Sequence, residues 1–179
     1  GDLIAATGTG VDLAHCAVSD VTLLDRAGTV SHGPAPTSEL ALHLGVYDDH
    51  PLAAAVVHTH APYATAVACV LDELPVLHYQ QLSLGGAIRV APYATFGSAE
   101  LAIHVRTALE GRLGALMANH GSISVGGSLN QAVENALLLE WLCQLHHRAA
   151  VLGTPRALTT EQQDDVVRAA IERNYGAST

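Results

Sequence analysis

The segment VVHTHA places His58 and His60 two residues apart. In an extended strand side chains alternate, so both imidazoles point to one face, about 6–7 Å apart along the strand, a spacing from which two rings can converge on one ion. The competing reading is two polar residues on the solvent face of an edge strand. The preceding apolar run AAAVV argues for a buried strand, in which histidines need partners. MANHGSISV offers His120 as a third ligand, where a short strand ends at a glycine, although a histidine before glycine is also a common turn residue. Three neutral imidazoles suit Zn²⁺ and leave a coordination position open for substrate, as catalytic sites do.

Glu39 follows Pro36, Thr37 and Ser38 at the expected start of a helix. Free amides and hydroxyls there attract an anion, so Thr37 and Ser38 can hold a phosphate oxygen without any lysine, and Glu39 would sit beside it. A plain helix-capping role for Glu39 explains the same pattern. ATGTG, with Thr9 and Gly10, is a second Gly/Thr turn after a strand and can present backbone N–H groups to phosphate. His43 lies one turn after Glu39 and reads as packed on the helix surface. The adjacent His146 and His147 point in different directions and make a poor metal pair.

The rest of the composition narrows the chemistry. Among 179 residues there are 8 Lys+Arg, all of them Arg, so Schiff-base catalysis and a Walker-type phosphate lysine are excluded for this chain. A formal net charge of −9 argues against a nucleic-acid or anionic-membrane partner. Cys16, Cys69 and Cys143 are widely spaced and odd in number, which reads as reduced thiols and a cytoplasmic setting. No stretch has the length and apolarity of a membrane span.

To hold those residues the chain needs a sheet and packing helices. Short apolar runs bounded by Gly, Pro, Asp or Asn predict strands at Leu3–Ala6, Val21–Leu24, Ala54–Val57, Ile88–Val90, Ala115–Ala118 and Ile123–Val125. Helical patterns cover Ser38–Tyr47, Pro62–Val70 and Ser98–Leu109. A long helix follows the Ser128/Gln131 capping box, with an apolar face through Ala132, Ala136, Leu139 and Leu142, and a last one spans Thr159–Asn174 from a Thr159/Gln162 box. The even composition predicts a single α/β domain, 1–179, built on a layered sheet of mixed direction.

Taken together, PTSELALH, AVVHTHAPYATAVA, LHYQQLSLGGAIRVAPYATFGSAELA and ANHGSISVG before a long helix resemble the class II aldolase/adducin family, in order and over nearly the whole chain. The resemblance implies a three-layer α/β/α fold with a central mixed β-sheet, a C4 homotetramer with interfacial active sites, and one Zn²⁺ per subunit, or another divalent metal. It puts the metal ligands on His58, His60 and His120, the acid/base on Glu39, and the phosphate contacts on Thr9, Gly10, Thr37 and Ser38. It also gives Tyr79 a catalytic role from a neighbouring subunit, where an ordinary interface aromatic is the alternative. Glu39 would need a pKa nearer neutrality than a free glutamate.

The implied reaction is cleavage of a ketose 1-phosphate, of the L-fuculose 1-phosphate kind, to dihydroxyacetone phosphate and an aldehyde through a metal-stabilised enediolate. Decarboxylation, dehydration or epimerisation of a related sugar phosphate is the alternative outcome. The resemblance disfavours epimerisation, because the family's epimerising branch has an aspartate a few residues after the Tyr79 position, where this chain reads QQLSLGG with no acid. A non-catalytic adducin-like assembly module is the remaining alternative, against which retention of all three histidines and Glu39 argues. Members of the family also carry an N-terminal segment with a phosphate loop ahead of the position of Gly1, so the chain is expected to lack that piece. The family's C-terminal tyrosine has Tyr175 as its nearest candidate.

Overall fold

The computed structural model describes residues 3–173; Tyr175 and the expected helix end at Asn174 lie outside them. The chain divides into two compact units, Gly1–Pro51 with Ala94–Arg106, and Leu52–Tyr93 with Thr107–Thr179.

In the first unit β1 (Leu3–Thr7), β2 (Val21–Asp25) and β3 (Val30–His32) form an antiparallel sheet in that order. These strands therefore form a sheet separate from the mixed one that the sequence predicts. Short apolar runs look alike whichever sheet they join, and β3, with three exposed residues, has no apolar signature at all. The helix α1 (Leu40–Asp49) starts two residues later than expected and buries Leu42, Gly45 and Val46. Asp49 at its end receives two hydrogen bonds from Arg106 of α3 (Ala99–Leu109), at 2.5 and 2.6 Å. That fork-on-carboxylate geometry holds Asp49 below the usual carboxylate range.

The second unit carries a five-stranded sheet ordered β4-β8-β7-β6-β5, from β4 (Ala55–Thr59), β5 (Glu73–Leu74), β6 (Ile88–Ala91), β7 (Gly114–Met117) and β8 (Gly121–Gly126). All pairs are antiparallel except β6–β7, so the sheet is mixed, as expected. Every residue of β8 is buried, and its two serines are satisfied locally: Ser124 donates to the Ala132 carbonyl at 2.8 Å and Ser122 meets the Thr59 hydroxyl at 3.0 Å. β4 is the sheet's edge among the described residues, with only Ala55 fully buried. The buried strand expected from AAAVV is thus a half-buried edge strand.

Two helices pack together on this sheet, α2 (Pro62–Ala68) and α4 (Leu129–Leu152). Their shared core joins Ala64, Val67, Leu84, Ile88, Leu116, Leu139, Leu142 and Cys143, where each fully buried large side chain contributes about 1.5–3 kcal/mol. The buried face of α4 departs from its expected leucine stripe by including Asn135, whose amide donates to the Val125 carbonyl at 2.7 Å. Ser128 accepts from the Gln131 N–H, but Gln131 reaches the Gly127 N–H, so the expected capping box is half formed. The Thr159/Gln162 box at the head of α5 (Thr160–Glu172) is complete. No helix among the described residues is long and apolar enough to cross a membrane.

Candidate metal centre

The antiparallel ladder between β4 and β8 pairs His58 with Ile123 and Thr59 with Ser122. β8 is entered from β7 through the turn Met117–His120, closed by the His120 N–H on the Met117 carbonyl at 3.1 Å, with Asn119 at a φ of +55°. Asparagine is among the few non-glycine residues that adopt this left-handed region readily. The turn therefore ends beside the end of β4, and His120 arrives where His58 and His60 are.

The three rings form a near-equilateral group, with centroids 4.8 Å apart for His58–His60 and 5.0 Å for each of the other pairs. Their ligand nitrogens lie within 4.8 Å of one another. His58 Nε2 and His60 Nε2 are 3.1 Å apart, close to the roughly 3.3 Å that separates two nitrogens on one tetrahedral ion with bonds of about 2.0–2.1 Å.

One ring of the donor set also has its orientation fixed by a neighbour outside the group. His58 Nδ1 lies 2.9 Å from the Ser122 carbonyl. A carbonyl only accepts, so Nδ1 carries the proton and Nε2 presents its lone pair to the group. Sequence spacing missed this contact, because nothing local marks a carbonyl 64 residues downstream.

Gly121 is the other silent contributor. A Cβ on it would stand 2.3 Å from the Thr59 carbonyl and 3.0 Å from His60 Cδ2, so the close approach of β8 to the end of β4 requires glycine. NHG is the legible trace of that requirement.

The remaining candidates fall as follows. Glu39 occupies the N-cap position of α1 in the first unit, is 7% exposed, and makes no side-chain capping bond. The plain capping explanation is therefore not realised. The segments carrying Thr9 and Gly10 and carrying Thr37 and Ser38 lie side by side: the Thr37 N–H donates to the Thr7 carbonyl at 3.0 Å and the Thr9 N–H to the Ala35 carbonyl at 3.2 Å. Thr37 Oγ1 accepts from the Glu39 N–H at 3.3 Å. Gly97, at a φ of +73°, packs on this corner, where a Cβ would stand 2.9 Å from the Ser38 carbonyl. Thr9, Gly10 and Ser38 are exposed, as an anion-binding edge needs to be.

Tyr79 opens a 3₁₀ turn (Tyr79–Leu84), is 45% exposed, and packs its ring 4.5 Å from that of His78. His43 is half-buried on α1, and His147 packs against Tyr63. Burial holds His146 below the usual histidine range.

An α/β scaffold that gathers three imidazoles at the end of a mixed sheet defines a metal-binding enzyme class. Residues 1–147 match the family described as Class II Aldolase and Adducin N-terminal domain, and the chain belongs to that family. It is 35% identical over 168 residues to the 5-methylthioribulose-1-phosphate/5-deoxyribulose-1-phosphate aldolase of Rhodospirillum rubrum, covering 93% of this chain and 76% of that protein. It is equally 35% identical over 167 residues to the L-fuculose phosphate aldolase of Escherichia coli strain K12, covering 93% and 78%. A solved L-fuculose 1-phosphate aldolase superposes with a TM-score of 0.88 at 34% identity, over 94% of this chain and 80% of that one. These similarities mark the chain as an enzyme of the aldolase type, a lyase, with an α/β fold around a mixed central sheet.

Proposed function

We propose that the chain cleaves a ketose 1-phosphate to dihydroxyacetone phosphate and an aldehyde, with Zn²⁺ as the resident metal. The observation carrying this reading is the convergence of three imidazoles, one with its tautomer set by the Ser122 carbonyl, in a chain similar to two ketose-phosphate aldolases. His58, His60 and His120 would hold the ion. When bound, a divalent cation supplies positive charge against the negative charge that develops on the sugar oxygens.

The chain's own residues do the rest. The hydroxyl at C4 loses its proton, the C3–C4 bond breaks to give the aldehyde, and the electron pair left on C3 takes up a proton to complete dihydroxyacetone phosphate. We assign the proton delivered to C3 to Glu39, a buried carboxylate not spent on capping its own helix. Tyr79 of an adjacent subunit handles the proton at the C4 oxygen. Thr9, Gly10, Thr37 and Ser38 bind the phosphate through amides and hydroxyls, which suits a chain without lysine.

In this reading 1–179 works as one class II aldolase domain, assembled as a cytoplasmic homotetramer. A stripe on α4 supports assembly: Leu129, Val133, Leu137 and Trp141 recur every four residues and are 65%, 41%, 66% and 41% exposed. The test is triose-phosphate release by zinc-loaded protein from L-fuculose 1-phosphate, 5-deoxyribulose 1-phosphate and 5-methylthioribulose 1-phosphate. Release from at least one is expected. Metal-loaded protein that cleaves none of them, or yields carbon dioxide or an epimer from a related sugar phosphate, overturns the assignment.

A further inference from the structure

The first turn of α2 begins one residue after Ala61, itself next to His60, and its amides have an unusual partner. The N-cap Ala61 has no side chain able to cap and Pro62 has no N–H to satisfy, which leaves the N–H groups of Tyr63 and Ala64 as orphan donors. Both are taken by one carboxylate from α4: Glu140 Oε1 accepts from Tyr63 at 3.0 Å and Oε2 from Ala64 at 2.7 Å. A residue 76 positions away thus caps the helix that leads out of the metal centre, with negative charge at the positive end of the helix dipole.

His60 lies between two anchors. On one side Thr59 is held to β8 by the ladder and by its hydroxyl contact with Ser122 at 3.0 Å. On the other side, three residues on, the Glu140 carboxylate fixes the start of α2. His60 is exposed whereas His58 and His120 are half-buried, so the backbone path on either side carries more of the task of aiming its ring. We propose that Glu140 is a positioning residue for His60, acting through the α2 N-terminus to hold this imidazole in the geometry of the metal centre. The proposal rests on the three histidines being the metal ligands.

The competing explanation is that Glu140 serves stability alone, since α2 and α4 also share the apolar core. Zinc affinity separates the two. The full chain and its Glu140→Gln and Glu140→Ala variants would be titrated with Zn²⁺ against a chromophoric chelator, alongside thermal unfolding of the metal-free proteins. Glu140→Gln keeps shape and one accepting oxygen but presents an NH₂ to one of the two donors. Its Kd for zinc is expected to rise by up to about 10-fold, the lower end of what losing a direct partner of a ligand costs, because Glu140 acts through the backbone between His60 and Tyr63, with Glu140→Ala equal or worse. Asp49→Asn, which breaks the Arg106 pair in the first unit, should lower the unfolding temperature and leave the zinc Kd unchanged. Should Glu140→Ala not fold, Glu140→Gln decides the matter alone. A destabilised Glu140→Gln with wild-type zinc affinity overturns the positioning role, whereas a wild-type chain that takes up no zinc overturns the three-histidine reading itself and this one with it.

Discussion

The proposed reaction gives Glu39 and the histidines separable chemical duties, and substitution should separate them. Glu39 is assigned a proton rather than the metal, so Glu39→Gln should bind zinc as the wild type does while turnover falls by about 10²–10⁴-fold, the range for loss of a general acid or base. His58→Ala should lose both, because it removes the one ring whose lone pair is oriented by the Ser122 carbonyl. Metal analysis beside steady-state rates reads the difference, and normal turnover in Glu39→Gln would discard its role. Cys143 is the opposite case, a group kept out of chemistry. Burial, with a smaller contribution from the Glu140 charge, pushes its thiol up to about 12. The unfolded chain ionises that thiol near 9, so between about pH 9 and 12 the folded state holds the extra proton and stability falls as pH rises. Denaturation at pH 8 and pH 10.5 should show that loss, and it should be smaller in Cys143→Ala. Alkylation at pH 8 should label the exposed Cys16 and Cys69 and spare Cys143 until the protein unfolds.

At the level of elements, the centre depends on two strands that are distant in sequence. The pair His58 and His60 was legible because alternation in a strand is local. The histidine before glycine at a strand end made His120 a candidate third ligand, but its convergence on the pair was not derivable from spacing, since β8 pairs with β4 across an order that skips three intervening strands; similarity to a family strengthened the candidate. The edge position of β4 was hidden for a related reason, because an apolar run cannot say how many neighbours a strand has. Glycine at 121 turns this topology into a prediction. A methyl group there meets the Thr59 carbonyl at 2.3 Å, so Gly121→Ala must push β4 away from β8 and carry His60 with it. The expected outcome is a loss of about 1–3 kcal/mol in denaturant unfolding, together with weakened zinc binding by chelator competition. A variant that unfolds earlier yet binds zinc as tightly would show that the ladder adjusts without moving the ligand.

For the molecule as a whole, composition ruled out lysine chemistry because the chain has no lysine, but it was blind to assembly. The α4 pattern contains two stripes, one buried in the chain's own core through Leu139 and Leu142 and one exposed through Leu129, Val133, Leu137 and Trp141. Hydropathy alone merges them into one broad apolar helix. If copies of the chain cover the second stripe, Leu137→Asp should shift the sedimentation of the wild-type assembly toward smaller species. A sharper expectation concerns catalysis, because the proposed site combines Glu39 of one subunit with Tyr79 of another. Glu39→Gln and Tyr79→Phe would each be nearly inactive alone. Mixed by co-expression or by unfolding and refolding together, they should form hybrid assemblies in which some sites pair an intact Glu39 with an intact Tyr79. With random mixing at equal amounts, about a quarter of the sites are restored, because closed symmetric assembly draws each contributor independently. Activity rising to about a quarter of wild type on mixing establishes a shared site, whereas a mixture no more active than the average of its components places both residues in one chain or removes Tyr79 from the reaction.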